Sequence, residues 1–197
     1  MAKTLLQLAG ASPAPSRLSD SALVLIDIQN ENFDGPLQLA EVEAAAEVAA
    51  GLLARARALG TPVVHVRHGG RIGGAFDPEA SRGQIHPSVA RRPGETEVEK
   101  GLPNRFAGTT LAAALEDIGP RPLIVAGFMT HLCVSATVRA ALDRGLSSTV
   151  ALDATATRDL PDPTSGPDLP ADTVQRAALA AIADRFATVV CAADIPD

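Results

Sequence analysis

Three residues of this chain have the types needed for nucleophilic catalysis, and each lies just past a short apolar run. Asp27 follows Ala22-Leu23-Val24-Leu25-Ile26, Lys100 follows the weaker Thr96-Glu97-Val98-Glu99, and Cys133 closes the segment Gly127-Phe128-Met129-Thr130-His131-Leu132-Cys133 after residues 122–126. A carboxylate can take a thiol proton, a lysine can stabilise the anions, and a thiolate can attack a carbonyl carbon. A helix start after residue 132 would favour the thiolate, because free backbone N–H groups and the helix dipole point at it. Each residue alone has a plainer reading: Asp27 as a solvated strand end or structural ion pair, Lys100 as a surface lysine, Cys133 as a small buried hydrophobe. Their shared expected meeting place argues for function.

That meeting place follows from the elements. Apolar runs at residues 22–26, 62–66, 122–126, 147–152 and 187–190, with the weak run 96–99, read as strands; the continuous ones suit strands buried on both faces. Between them lie helical patterns at 37–59, 109–117, 133–144 and 172–185, with Thr109 and Asp172 as expected caps and Gly60, Gly119 and Gly145 as stops. Strand and helix in alternation predict an α/β fold, a parallel sheet with helices on both faces. Such sheets bind ligands beyond the carboxyl ends of their strands, where all three residues fall. Residues 69–95 form a Gly-rich excursion with little periodicity, and long ordered loops tend to be functional. Its Gly69-Gly70-Arg71-Ile72-Gly73-Gly74 lacks dinucleotide-loop spacing and reads as a flap over the site or an interface loop.

Composition narrows the function classes. The 197 residues suit one domain, expected over 21–197 after an N-terminal extension at 1–20 whose start, Met1 to Pro15, reads as frayed. A net charge of −6 disfavours binding to a phosphate backbone, and the absence of Trp and Tyr removes most aromatic stacking platforms, so no nucleic-acid partner is expected. No run is long enough for a membrane span or a secretory signal, which predicts a cytoplasmic protein with no membrane partner. Two cysteines make no disulfide framework.

The Asp-x-Gln-Asn box at Asp27, Lys100 ahead of Asn104-Arg105-Phe106-Ala107-Gly108-Thr109, and Gly127-x-x-Thr130-x-x-Cys133-Val134 together resemble the isochorismatase-like cysteine hydrolases over about residues 21–190. That family includes nicotinamidases and N-carbamoylsarcosine amidohydrolase. The resemblance implies a three-layer αβα fold with a six-stranded, mostly parallel sheet. It implies that Asp27 accepts the Cys133 proton, that Lys100 stabilises both anions, and that the thiolate forms a thioester with a small amide or ureide. The oxyanion hole would be the backbone N–H groups of Met129 and Cys133, the first aimed by a cis Phe128–Met129 peptide bond. It also implies a homo-oligomer, a dimer or tetramer.

The departures matter as much. The Asp-x-His metal site of nicotinamidases is absent from His68-Gly69-Gly70-Arg71, so neither metal nor other cofactor is expected. His65 and His68, three apart on a strand, point to opposite faces and would not share an ion; His65 reads as core and His68 as pocket. Further pocket candidates are Gln29, Phe33, Phe106 and Arg158, the last as a partner for a substrate carboxylate or as a surface ion pair. Phe33 falls one residue later than the family pattern places its aromatic. Asp153 reads as a backbone partner at its strand end, and Cys191 as a passive thiol. Two other functions remain open: vinyl-ether hydrolysis, which needs no thiol nucleophile, and a non-catalytic thiol-based binding or redox protein.

Overall fold

The computed structural model describes residues 2–11, 14–104 and 106–197, with Lys100 described through its backbone alone. Ala22–Ile26 is buried at every position and forms β1, as an apolar run must when both faces of a sheet are covered. The other strands are β2 (Val63–His68), β3 (Thr96–Lys100), β4 (Leu123–Phe128), β5 (Ser148–Ala156) and β6 (Thr188–Val190). They pair in the order β3-β2-β1-β4-β5-β6, every pair parallel. The helices are α1 (Leu5–Leu8), α2 (Glu31–Asp34), α3 (Val42–Leu59), α4 (Leu111–Ile118), α5 (Ser135–Asp143) and α6 (Ala171–Arg185).

Alternation along the strands feeds two cores, one on each face. Leu23, Leu25, Ile124 and Ala126 join Leu52 and Leu53 of α3 in one cluster. Val24, Ile26, Leu123 and Val125 join Leu111 of α4, Val138 of α5 and Ile182 of α6 in the other. No helix among the described residues is long and apolar enough to cross a membrane.

The strand order positions the site. The chain adds β2 and β3 on one side of β1, then returns to place β4, β5 and β6 on the other. The crevice beyond β1 and β4 is therefore the switch point where open α/β sheets bind ligands. Asp27 leaves β1 there and Met129 leaves β4. Gly127 lets the two strands close up: it has φ +123°, and a Cβ there would run into the Ile26 backbone oxygen and nitrogen.

Several expected boundaries shift for identifiable reasons. The helix expected from residue 37 starts at Val42, because the preceding amides bond elsewhere: Leu39 N–H goes to Asn32 O and Ala40 N–H to Thr157 O. Asp172 lies within the first turn of α6 and does not cap it; the Ala171 N–H is taken by Asp159 Oδ1 at 2.8 Å, from twelve residues upstream. Thr109 does meet its helix, accepting the Leu111 N–H at 3.1 Å. The segment expected to fray holds α1, closed by a reciprocal capping box between Thr4 and Gln7 and tied to α6 by Leu5 N–H to Asp184 Oδ1. Leu18 is fully buried in the core.

Candidate active site

Asp27 is buried at the first position past β1 and takes a left-handed backbone conformation, φ +50°. Asp tolerates that region better than most residues, and such outliers cluster where a side chain must be aimed. Three bonds fix the turn: Asp27 N–H donates to Val66 O, and the Asp27 carbonyl accepts Gln29 N–H at 2.9 Å and Asn32 Nδ2 at 2.7 Å.

Across the switch point the chain leaves β4 through a cis Phe128–Met129 peptide bond. It then enters a single π-helical turn, Thr130–Val134, that runs into α5. The helix start expected at Cys133 thus lies three residues earlier, and Cys133 sits inside the widened turn. Such turns recur at functional sites. Thr130 Oγ1 ties the turn to Ala156 O, and Thr137 Oγ1 donates to the Cys133 carbonyl at 2.7 Å. Cys133 is buried, with 7% of its surface exposed.

Asp27 and Cys133 line one cavity of about 300 Å³. Its polar wall includes Asn32, His68, His131 and Arg158; Leu37, Ala75, Phe76, Pro103, Phe128, Met129 and Leu132 complete it. Met129, the first expected oxyanion donor, thus shares the cavity with Cys133, the second. Lys100 ends β3 in register with His68, so its backbone stands at the same edge; its side chain lies outside the described residues, as does Arg105.

Of the pocket candidates, His68 and Arg158 reach the cavity, and three do not. Gln29 is fully buried and spends its amide on backbone: Nε2 donates to His68 O and Gly83 O, and Oε1 accepts His68 N–H. Phe33 stacks on the His86 ring at 3.7 Å in a separate cavity beside α3, as its shift in the motif allows. Phe106 sits beneath the Arg144 guanidinium, 4.6 Å from its ring centre, and lines a different apolar cavity between α4 and the end of α5. In its place Pro103, just ahead of that run, reaches the site.

The sequence reading missed Asn32 and His131 as individual residues. Asn32 lies two residues past the Asp-x-Gln-Asn box, beside the expected Phe33, and His131 two residues before Cys133; without the turn geometry nothing marks which neighbour faces inward. His131 Nδ1 is 2.5 Å from Thr157 Oγ1. Burial, reinforced by the Arg158 charge, lowers the His131 pKa, and burial alone lowers that of His68. Both imidazoles therefore favour the neutral form, leaving Arg158 as a standing positive charge among these groups.

His65 does not line this cavity; it is buried with Nε2 2.9 Å from Glu95 Oε2. Burial lowers its pKa against the opposing pull of Glu95. Burial alone would raise the Glu95 pKa, but bonds from Arg57, the Arg92 N–H and His65 hold it at about 2. Among the described residues no three His, Cys, Asp or Glu side chains converge as a metal ion would require.

Comparison with known proteins places this architecture. Residues 21–194 match the isochorismatase domain model. The solved structure of an isochorismatase from Pseudomonas putida superposes with a TM-score of 0.94 at 40% identity, covering 99% of this chain and 100% of that one. A secreted isochorismatase effector of Verticillium dahliae is 36% identical over 94% of this chain and 95% of its own length. A streptothricin hydrolase of Streptomyces noursei is 35% identical over 89% of this chain and 64% of its own. On the strength of the matched domain and of a fold shared from end to end, the chain belongs to the isochorismatase family of hydrolases.

Proposed function

We propose that the protein is a metal-independent cysteine hydrolase that cleaves a C–N bond of a small amide or ureide. The observation that carries this reading is the convergence of Asp27, Cys133 and Met129 on one small cavity at the sheet's switch point. A vinyl-ether hydrolase has no need of a thiol at that position.

In this reading Asp27 takes the proton of the Cys133 thiol, and Lys100 stabilises the resulting charges. The thiolate adds to the carbonyl carbon, and the developing oxyanion is held by the Met129 and Cys133 N–H groups. The C–N bond breaks as protonated Asp27 gives its proton to the leaving nitrogen. Asp27 then takes a proton from water, the hydroxide attacks the thioester, and the released sulfur is reprotonated. Arg158 supplies a fixed charge suited to a carboxylate carried by the substrate. The similarity to a streptothricin hydrolase supports a hydrolytic role for this chain.

Turnover of a panel of small amides, ureides and vinyl ethers by wild type, Cys133→Ala and Asp27→Asn tests the reading. C–N cleavage that falls by about a thousandfold or more in both variants supports it. Turnover confined to the vinyl ether and kept by Cys133→Ala overturns it.

A further inference from the structure

Glu31 is fully buried, at 0% exposure, just past the box that supplies Asp27. Its Oε2 accepts the Phe76 N–H at 3.2 Å, and its buried Oε1 meets no hydrogen-bond partner among the described residues. Gly35 closes over it: a Cβ at that position would collide with Oε1 and with the Glu31 carbonyl. One hydrogen bond does not return the cost of burying a carboxylate, so an apolar side chain would serve stability better there. What the carboxylate adds is a fixed acceptor for one amide.

That amide belongs to a wall of the cavity. Phe76 lines the site and stands edge-on to His68, ring centres 5.1 Å apart. Its φ is +54°, a region that bulky residues rarely adopt and keep only when their surroundings impose it. Between residues 70 and 80, the other hydrogen bonds among the described residues stay within the excursion, among them Gly70 N–H to Phe76 O, Gly73 N–H to Asp77 Oδ2, Glu79 N–H to Asp77 Oδ1 and Gln84 Nε2 to Pro78 O. Glu31 fastens the 70–80 part of this loop to the floor of the site, while Asn30 Nδ2 to Ser81 O and Gln29 Nε2 to Gly83 O hold the part that follows.

We propose that Glu31 is a positioning residue that limits substrate size: its carboxylate pins the Phe76 amide, and the Phe76 ring so held is the wall that excludes amides with bulky substituents. The proposal rests on the reading of this cavity as the substrate site. Its first test needs no turnover. Alkylation of Cys133 by iodoacetamide and by the bulkier N-benzyl iodoacetamide is followed by intact mass and peptide mapping in wild type, Glu31→Ala, Glu31→Gln and Phe76→Gly.

Glu31→Ala and Phe76→Gly raise the benzyl rate about tenfold relative to the iodoacetamide rate, the scale of a change in pocket fit. Glu31→Gln stays close to wild type, because the glutamine carbonyl accepts the same N–H. A folded Glu31→Ala protein with an unchanged ratio overturns the proposal. If that variant fails to fold, or if Cys133 reacts with neither reagent, hydrogen exchange of the Phe76 amide in wild type decides. Protection supports the latch, and exchange at the rate of a free loop overturns it. A Cys133 inert to both reagents counts against the nucleophile alone, so the two failures are distinguishable.

Discussion

Gln29 and His68 exchange a pair of hydrogen bonds: Gln29 Nε2 donates to His68 O at 3.0 Å, and His68 N–H donates to Gln29 Oε1 at 2.8 Å. A side-chain amide here imitates a neighbouring strand just past β1. A third bond, Nε2 to Gly83 O at 2.8 Å, ties the middle of the excursion that walls the site to the strand end from which it starts. Residue 29 thereby shapes the cavity without lining it.

Gln29→Ala leaves these buried and part-buried backbone groups without their Gln29 partner. The expected loss of stability is about 2–4 kcal/mol, from one to three unsatisfied groups. Urea denaturation at constant pH measures it. A loss below about 1 kcal/mol would show that the groups find other partners.

The two thiols should separate by reactivity. Burial raises the Cys191 pKa, with the Asp153 and Asp194 carboxylates adding to it. Limiting iodoacetamide near neutral pH is expected to modify Cys133 before Cys191, and Asp27→Asn to slow the Cys133 reaction. Peptide mapping that finds Cys191 labelled first would contradict an activated Cys133.

Arg158→Gln tests the proposed charge of the cavity. For a substrate bearing a carboxylate, KM should rise by about tenfold, the scale of one charge-assisted hydrogen bond, while an uncharged amide is little affected. The His131 titration midpoint, followed by imidazole NMR, should move upward, since one of the two causes of its lowering is removed. It stays below the ordinary value because burial remains.

Stability should fall on mild acidification. All four histidines have pKa values lowered from 6.5, by burial first in each case. The unfolded chain then binds protons that the folded chain refuses. The contribution is fully present above pH 6.5 and is lost as pH drops through the lowered folded values. Glu95 adds a second phase: its folded pKa of about 2 against 4.5 gives stability present above pH 4.5 and lost toward pH 2. Melting temperatures measured at pH 8, 6, 4.5 and 3 should decline in that order; a flat profile between pH 8 and 6 would rule out the histidine effect.

Gly127→Ala should be among the most damaging single-methyl changes. The added Cβ meets the Ile26 backbone, and φ +123° is closed to alanine. A cost of about 3 kcal/mol or more is expected from strain and overpacking together. Chemical denaturation reads it, and a cost near zero would mean that β1 and β4 can separate freely.

Much of this was legible in the amino-acid order. β1 and β4 are marked by unbroken apolar runs, because burial on both faces permits nothing else, and strand–helix alternation dictates a parallel sheet. Asp27, Lys100 and Cys133 stood out because each follows a strand. Helix starts were less legible where the decisive partner is remote: Asp159 caps α6 from the far side of a loop, and Asn32 and Thr157 take the amides that would have begun α3.

The sequence by itself determined the layers, the sheet edge at which the chemistry gathers and the residue types available there, since these depend on periodicity and local propensity. Only the tertiary structure decided which residues in and just after the Asp27 box face the cavity. Asn32 lines it, while Gln29 and Glu31 turn to backbone groups some forty residues away, and Phe33 turns to His86. Those choices are made by long-range hydrogen bonds and packing, which join segments that no local pattern connects.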